Sequence, residues 1–364
     1  MSTTKNAVPK MIQNNWAKTA KWASCLRTVP RNKVRRFEQR MLHAGDVVVC
    51  RVEVAAFPHS AIEDSSGRLQ SLFPGDILVT TVANRESTRW NVGKVPEDDV
   101  YRPGRQLTIL SIQGIIGDLT ECASDTQEFA THVTVLGVAI SDTAANMNIS
   151  NYAITPLQYD RPTQLPLTIL ITGSSAEAGK TTAGINIVRC LIREGHDVIA
   201  LKATGTASTI ERQIYADAGA SHVIDPIDFG LATTYSNEER GCMKGRFLGC
   251  LYHIANLNCS SLVVECGGDP IGANVPLFLT ALRECGAPQF HVSSASDCLA
   301  ALGLITLFQT INLPVNMFCG RCTDTTLLKN RTTTLTGISS LNLATGVDND
   351  ALYAMIRKLT STIN

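Results

Sequence analysis

The chain holds 364 residues, with 32 basic and 32 acidic side chains, 44% hydrophobic and 5% aromatic residues. That length suffices for two domains with sizeable cores. A formal net charge of zero gives no whole-chain attraction for nucleic acid or an anionic surface, and no internal repeat or low-complexity tract is present.

The charge is unevenly placed. Residues 1–40 carry ten Lys or Arg and one acid, Glu38, which leaves 22 basic and 31 acidic residues beyond them. Such an arm is more often a solvated terminus, or packs on its own acidic body, than a nucleic-acid contact. It has no glycine, and the spacing of Trp16, Trp22, Leu26 and Val34 allows one or two amphipathic helices. The N-terminus is polar and basic without an apolar signal core. Twelve cysteines, scattered at positions such as Cys50, Cys190, Cys250, Cys266 and Cys298, read as reduced thiols, so a cytoplasmic location is expected. The longest apolar run, around Cys298–Phe308, is too short to span a bilayer and suits a buried helix.

From Ala44 the texture becomes β-branched. Residues 45–54 and 75–82 read as strands opened by Gly-Asp turns, residues 65–70 as a hairpin or loop, and residues 107–112 and 132–138 as further strands. The expectation is a basic arm over 1–40 and a small β-rich, barrel-like domain over 41–160. After Pro166 strands and helices alternate, which implies a mainly parallel α/β sheet over 161–364. Strands are predicted at 167–172, 197–202, 221–224, 261–265, 289–293, 315–319 and 335–338. Helices are predicted at 179–193, 209–218, 238–256, 275–284, 297–309, 323–331 and 348–360.

The strand from Leu167 runs into Gly173, Ser174, Ser175, Ala176, Glu177, Ala178, Gly179, Lys180, Thr181 and Thr182. A strand, a turn of small residues and a Lys-Thr helix start form a phosphate-binding loop, because bare helix N–H groups attract anions and small residues let the backbone wrap a phosphate. The strict pattern wants glycine where Ser174 stands, so the loop is a variant. Ligands of parallel sheets sit beyond the carboxyl ends of the strands. Two further strand ends therefore matter: Lys202 before a small-residue turn, and Glu265 ahead of Gly267 and Gly268. A carboxylate ending an apolar strand suits a Mg²⁺-dependent nucleotide site and is costly unpaired. Asp225 and Asp228 are open between a further metal role and capping of the turn before Gly230. Cys319-Gly-Arg-Cys322 is the one Cys-x-x-Cys; without a second Cys/His pair of matching spacing, packing is preferred over a redox or zinc role. His196, His222 and His253 lack partner spacing and read as packing or surface residues.

These motifs resemble dethiobiotin synthetase and the wider group of P-loop amide synthases, on Gly173, Glu177, Gly179, Lys180 and Thr181, on Lys202, and on Val264 with Glu265. The segments Lys202–Thr206, Asp217–Ala220 and Asp225–Tyr235 are also similar to bacterial proteins that join a β-rich front domain to such a P-loop domain. The resemblance implies ATP and Mg²⁺ binding and phosphoryl transfer to a small-molecule carboxylate that an amine then attacks, in a homodimer. It makes Lys180 and Lys202 catalytic, and gives the metal to Thr181, Glu265 and one of Asp225 and Asp228, with Glu177 nearby. A small-molecule kinase and a nucleotide-dependent regulatory switch are the alternatives. The Asn/Thr-Lys-x-Asp guanine signature is absent from the chain, as is a lysine early in the loop.

Overall fold

Seven consecutive buried residues, Leu167–Gly173, form strand β1 of the α/β sheet in the computed structural model. The structure describes residues 19–34, 36–56, 59–86, 90–97, 104–122 and 130–361. They fall into two units. The first comprises Met1–Ile154, Ala207–Ile210 and Gly230–Thr233; the second comprises Thr155–Thr206, Glu211–Phe229 and Thr234–Asn364.

In the second unit, β1 is followed by β2 (Val198–Thr204), β3 (His222–Ile224), β4 (Ser261–Cys266), β5 (Phe290–Ser294) and β6 (Met317–Cys319), in the spatial order β3-β2-β4-β1-β5-β6. Every pairing is parallel. Parallel strands need crossover helices, and these are α1 (Lys180–Arg193), α2 (Thr209–Asp217), α3 (Arg240–Ala255), α4 (Val275–Glu284) and α5 (Cys298–Thr310), followed by α6 (Thr326–Thr336) and α7 (Asn349–Ser361). Ala183, Ile187, Val188 and Leu191 of α1 pack with Ile169, Ile171, Val263, Leu352 and Ile356 in one core. Each fully buried aliphatic side chain there contributes roughly 1.5–3 kcal/mol by leaving water.

Two local expectations change. The segment 335–338 is not a strand: α6 runs through Thr336 and stops at Gly337, whose φ of 70° is a left-handed helix cap. Only an isolated bridge joins Phe318 to Ser340 beyond it. Helix α5 is less buried than its composition suggests; Ala301, Leu304 and Phe308 face inward while Leu299 is 71% exposed. Among the described residues no helix is long and apolar enough to cross a membrane.

Among its described residues the first unit carries a nine-stranded sheet. Its centre is Val47–Val54, antiparallel to both Ile77–Thr81 and His132–Ile140. A bridge between Val82 and Ile116 curls the sheet back on itself. The Ala61–Glu63 and Leu69–Ser71 strands form the expected hairpin; the Asp64 carboxylate closes it by accepting from the backbone N–H groups of Ser66 and Arg68. Thr19 is helical, but beyond it the helical reading of the arm does not hold. Lys21–Trp22 is a strand parallel to Leu78 and Val79, and Leu26 ends a short 3₁₀ turn. Trp16 lies outside the described residues. A sheet edge offering backbone partners outweighs a weak helical spacing.

One buried titratable side chain makes a prediction about stability. His291, 1% exposed, has its pKa pushed down to about 4 by burial, against backbone carbonyls that favour its charge. Its Nδ1–H donates to Pro314 O at 3.3 Å and Nε2 accepts from Thr172 Oγ1 at 2.8 Å. Unfolding lets the ring protonate near its ordinary value, so its contribution is full above pH 6.5 and is lost as pH falls towards 4. The loss amounts to roughly 3 kcal/mol. Urea unfolding of wild type and His291→Gln at several pH values should give curves that converge as pH falls across that window; parallel curves would contradict the assignment.

Candidate nucleotide site

The site is built at the carboxyl ends of β1, β2 and β4. Register puts Lys202 directly beside Glu265, and Glu265 beside Ile171 two residues before the loop. The loop then climbs over the start of α1. Gly179 supplies its last turn at φ 109°, and the first turn of α1 leaves N–H groups without acceptors inside the helix. Lys180 is folded back under the loop: it is 5% exposed, and its Nζ donates to Ser175 O at 2.6 Å. Burial lowers its pKa, and the Glu265 charge counters that shift.

Several close approaches show how tightly this arch is built. A Cβ on Gly173 would lie 2.9 Å from Lys180 Cγ, and one on Gly320 would lie 2.1 Å from Ala178 O. Gly320 therefore backs the loop from the end of β6, a role that the Cys-x-x-Cys reading missed. Cys319 and Cys322 are buried free thiols whose pKa values burial pushes up to about 12 and about 11. Glu177 is exposed and held at φ 58°, a conformation that favours glycine.

Glu265 is the hub. It is 3% exposed, accepts from Thr181 Oγ1 at 3.0 Å on one oxygen and from Tyr215 OH at 2.6 Å on the other. Burial and then the Glu211 charge raise its pKa, against Lys202, Tyr215 and Lys180. Tyr215 and Glu211 lie one turn apart on α2, and Glu211 pairs with the Lys202 ammonium. Burial alone would lower the Lys202 pKa, but Glu211 and Glu265 more than offset it, so the side chain stays a cation. Sequence reasoning missed Tyr215 and Glu211. The signal was their i, i+4 spacing on a helix following the Lys202 turn. Gly184 leaves room for the phenol, since a Cβ there would meet Tyr215 OH at 2.0 Å.

Asp225 and Asp228 cap the 3₁₀ turn Pro226–Phe229. Asp225 Oδ1 accepts from Ile227 N at 2.9 Å, and Asp228 Oδ2 accepts from Asp225 N and Arg212 Nη1, both at 3.0 Å. Among the described residues no three or more His, Cys, Asp and Glu side chains form a metal-holding group, so Asp225, Asp228 and Glu265 do not make a three-carboxylate site. One hydroxyl and one carboxylate, Thr181 and Glu265, still fit Mg²⁺, which keeps waters and phosphate oxygens and takes only one or two protein oxygens.

No protein-family model matches the chain. No curated protein matches it either. Among solved structures the chain is similar to chloroplast FtsY from Physcomitrella patens, at 13% identity and TM-score 0.35 over 53% of this chain and 62% of that one. It is similar to the signal recognition particle 54 kDa protein from Aeropyrum pernix K1 in complex with GDP, at 17% identity and TM-score 0.35 over 56% and 52% of the two chains. A third is the hydrogenase maturation factor HypB from Archaeoglobus fulgidus, at 12% identity and TM-score 0.35 over 53% and 90%. The chain thus spans between half and two thirds of the two signal-recognition proteins. These matches correct the expected family: they are signal-recognition proteins and a maturation factor, not dethiobiotin-synthetase-like ligases. The biosynthetic ligase activity, ATP as the named nucleotide, the carboxylate and amine substrates, and the homodimer carried over with them are withdrawn. What stands is a β-rich unit joined to an α/β P-loop unit.

Proposed function

We propose that the α/β unit binds a Mg²⁺–nucleoside triphosphate, hydrolyses it slowly, and uses the bound state to change its contacts with a protein partner. The observation that carries this reading is the double engagement of Glu265, which joins the phosphate-loop hydroxyl of Thr181 to Tyr215 on α2. A side chain that meets both the metal-binding hydroxyl and a neighbouring helix can convert occupancy into movement of that helix.

The backbone of Gly173–Thr182 and the Lys180 ammonium receive the phosphates, Lys202 adds positive charge, and Thr181 and Glu265 hold the ion. Bound Mg²⁺ supplies neutralisation of the phosphate oxygens. The Thr181 hydroxyl would offer an oxygen lone pair to the ion while its O–H still donates to Glu265. Tyr215 retains its proton, since burial and the Glu265 charge raise its pKa well above the usual phenol value. It therefore remains a donor and follows the carboxylate.

Hydrogen exchange of residues 209–217 with the di- and triphosphate of each base in turn tests the switch. The reading expects at least fivefold different exchange rates between the two states for the base that binds. Identical protection in both states would remove the switch and leave only a nucleotide-binding unit.

A further inference from the structure

Helix α2 begins in the first unit, since residues 207–210 belong to it, and its start is held by an acid from a distant part of the sequence. Glu63, at the end of the Ala61–Glu63 strand, is fully buried. Its carboxylate accepts from Thr209 N at 3.1 Å, Ile210 N at 2.5 Å, Ser208 Oγ at 3.1 Å and also Ser24 Oγ. Two of these donors are first-turn N–H groups, which a helix leaves without partners. Ser208 turns its hydroxyl onto Glu63, and among the described residues the buried Thr209 hydroxyl has no hydrogen-bond partner. Glu63 thus adds an acceptor at the N-terminus of α2, its carboxyl oxygens lying at the positive end of the helix dipole.

From that fixed start, α2 presents Glu211 to Lys202 and Tyr215 to Glu265. We infer that Glu63 is a positioning residue of the nucleotide site, acting through α2 to set where Glu265 and Lys202 stand. The inference rests on the nucleotide reading above. A helix whose first turn has lost its acceptor frays or shifts within that turn, and Tyr215 lies only six residues from Thr209.

The test is a Mg²⁺ titration of binding by the full chain, with mant-labelled GTP, ATP, CTP and UTP compared and the tightest probe carried forward. Glu63→Gln keeps the side-chain volume, removes the charge and replaces one acceptor by a donor. It should raise the Mg²⁺ concentration for half-maximal binding about tenfold while changing affinity in EDTA less than about twofold. A purely structural role would lower the melting temperature and leave the Mg²⁺ midpoint at the wild-type value, and that result overturns the inference. Should Glu63→Gln not fold, Ser208→Ala keeps the carboxylate and removes one donor. An unshifted midpoint in that variant is then equally contrary, and a shift of about threefold supports the assignment. If wild type binds none of the probes, the nucleotide reading fails with it. If Glu265→Gln abolishes the Mg²⁺ dependence but Glu63→Gln does not move it, only the positioning role fails.

Discussion

Replacing Lys180 by methionine is expected to weaken nucleoside triphosphate binding about a hundredfold, equivalent to about 2.7 kcal/mol, in a protein that still folds. Methionine keeps the apolar stem that packs close to Gly173 and removes only the ammonium that donates to Ser175 O. The charge matters because of its surroundings. Lys180 is buried and under pressure to lose its proton, with the Glu265 carboxylate working to keep it. Anionic phosphate would complete that compensation in a site shielded from water, where an ion pair is far stronger than on the surface. Fluorescence titration with the mant-labelled nucleotides reads the affinity, and circular dichroism checks the fold. Unchanged affinity in a folded Lys180→Met protein would remove the site from the loop altogether.

The second large effect lies where the sequence offers no phosphate signal. Gly320→Ala should cost about 3 kcal/mol of stability and at least tenfold in nucleotide affinity. Gly320 has φ 87° and ψ −158°, a region that side-chain-bearing residues rarely enter. An added methyl would also sit 2.1 Å from Ala178 O and 3.3 Å from Ala295 O. Both obstacles are backbone, so no flexible side-chain tip can yield, and the phosphate loop itself must move. Cys322→Ala is the informative contrast, since it leaves the Gly320 backbone in place. It should leave affinity within about twofold and cost only a modest packing penalty. Denaturant midpoints and the same titration measure both variants. Equal losses of affinity in the two would return the function to the thiols.

Much of the α/β unit was legible because buried parallel strands and amphipathic helices leave strong periodic signals. Leu167–Gly173 and Ser261–Cys266 are short aliphatic-rich runs buried throughout, and α1 carries its core residues at helical spacing. The loop was legible because its chemistry restricts residue type locally. The resemblance to a ligase failed for the same reason. Small residues, Lys180 and Thr181 are what any phosphate loop requires, so they specify phosphate recognition and carry no information about an acceptor. The links around Glu265 were hidden because they depend on strand register and on a helix face. Tyr215 is 50 residues from its partner, and no local pattern marks it. Gly320 was hidden by the more conspicuous cysteines beside it. Glu63 was hidden more deeply, being 146 residues from the helix start that it caps. In the first unit the long central strands were readable, whereas short ones such as Arg36–Glu38 and Arg85–Glu86 have too few residues for alternation to show.

Nucleotide affinity measured with Mg²⁺ and with EDTA tests most directly whether Thr181 and Glu265 hold Mg²⁺ for a nucleotide on the loop. Wild type should bind the preferred triphosphate at least about tenfold more tightly with Mg²⁺, and Glu265→Gln should bind equally in both conditions. Wild-type affinity indifferent to Mg²⁺, or a Glu265→Gln protein that keeps the full difference, would contradict that role.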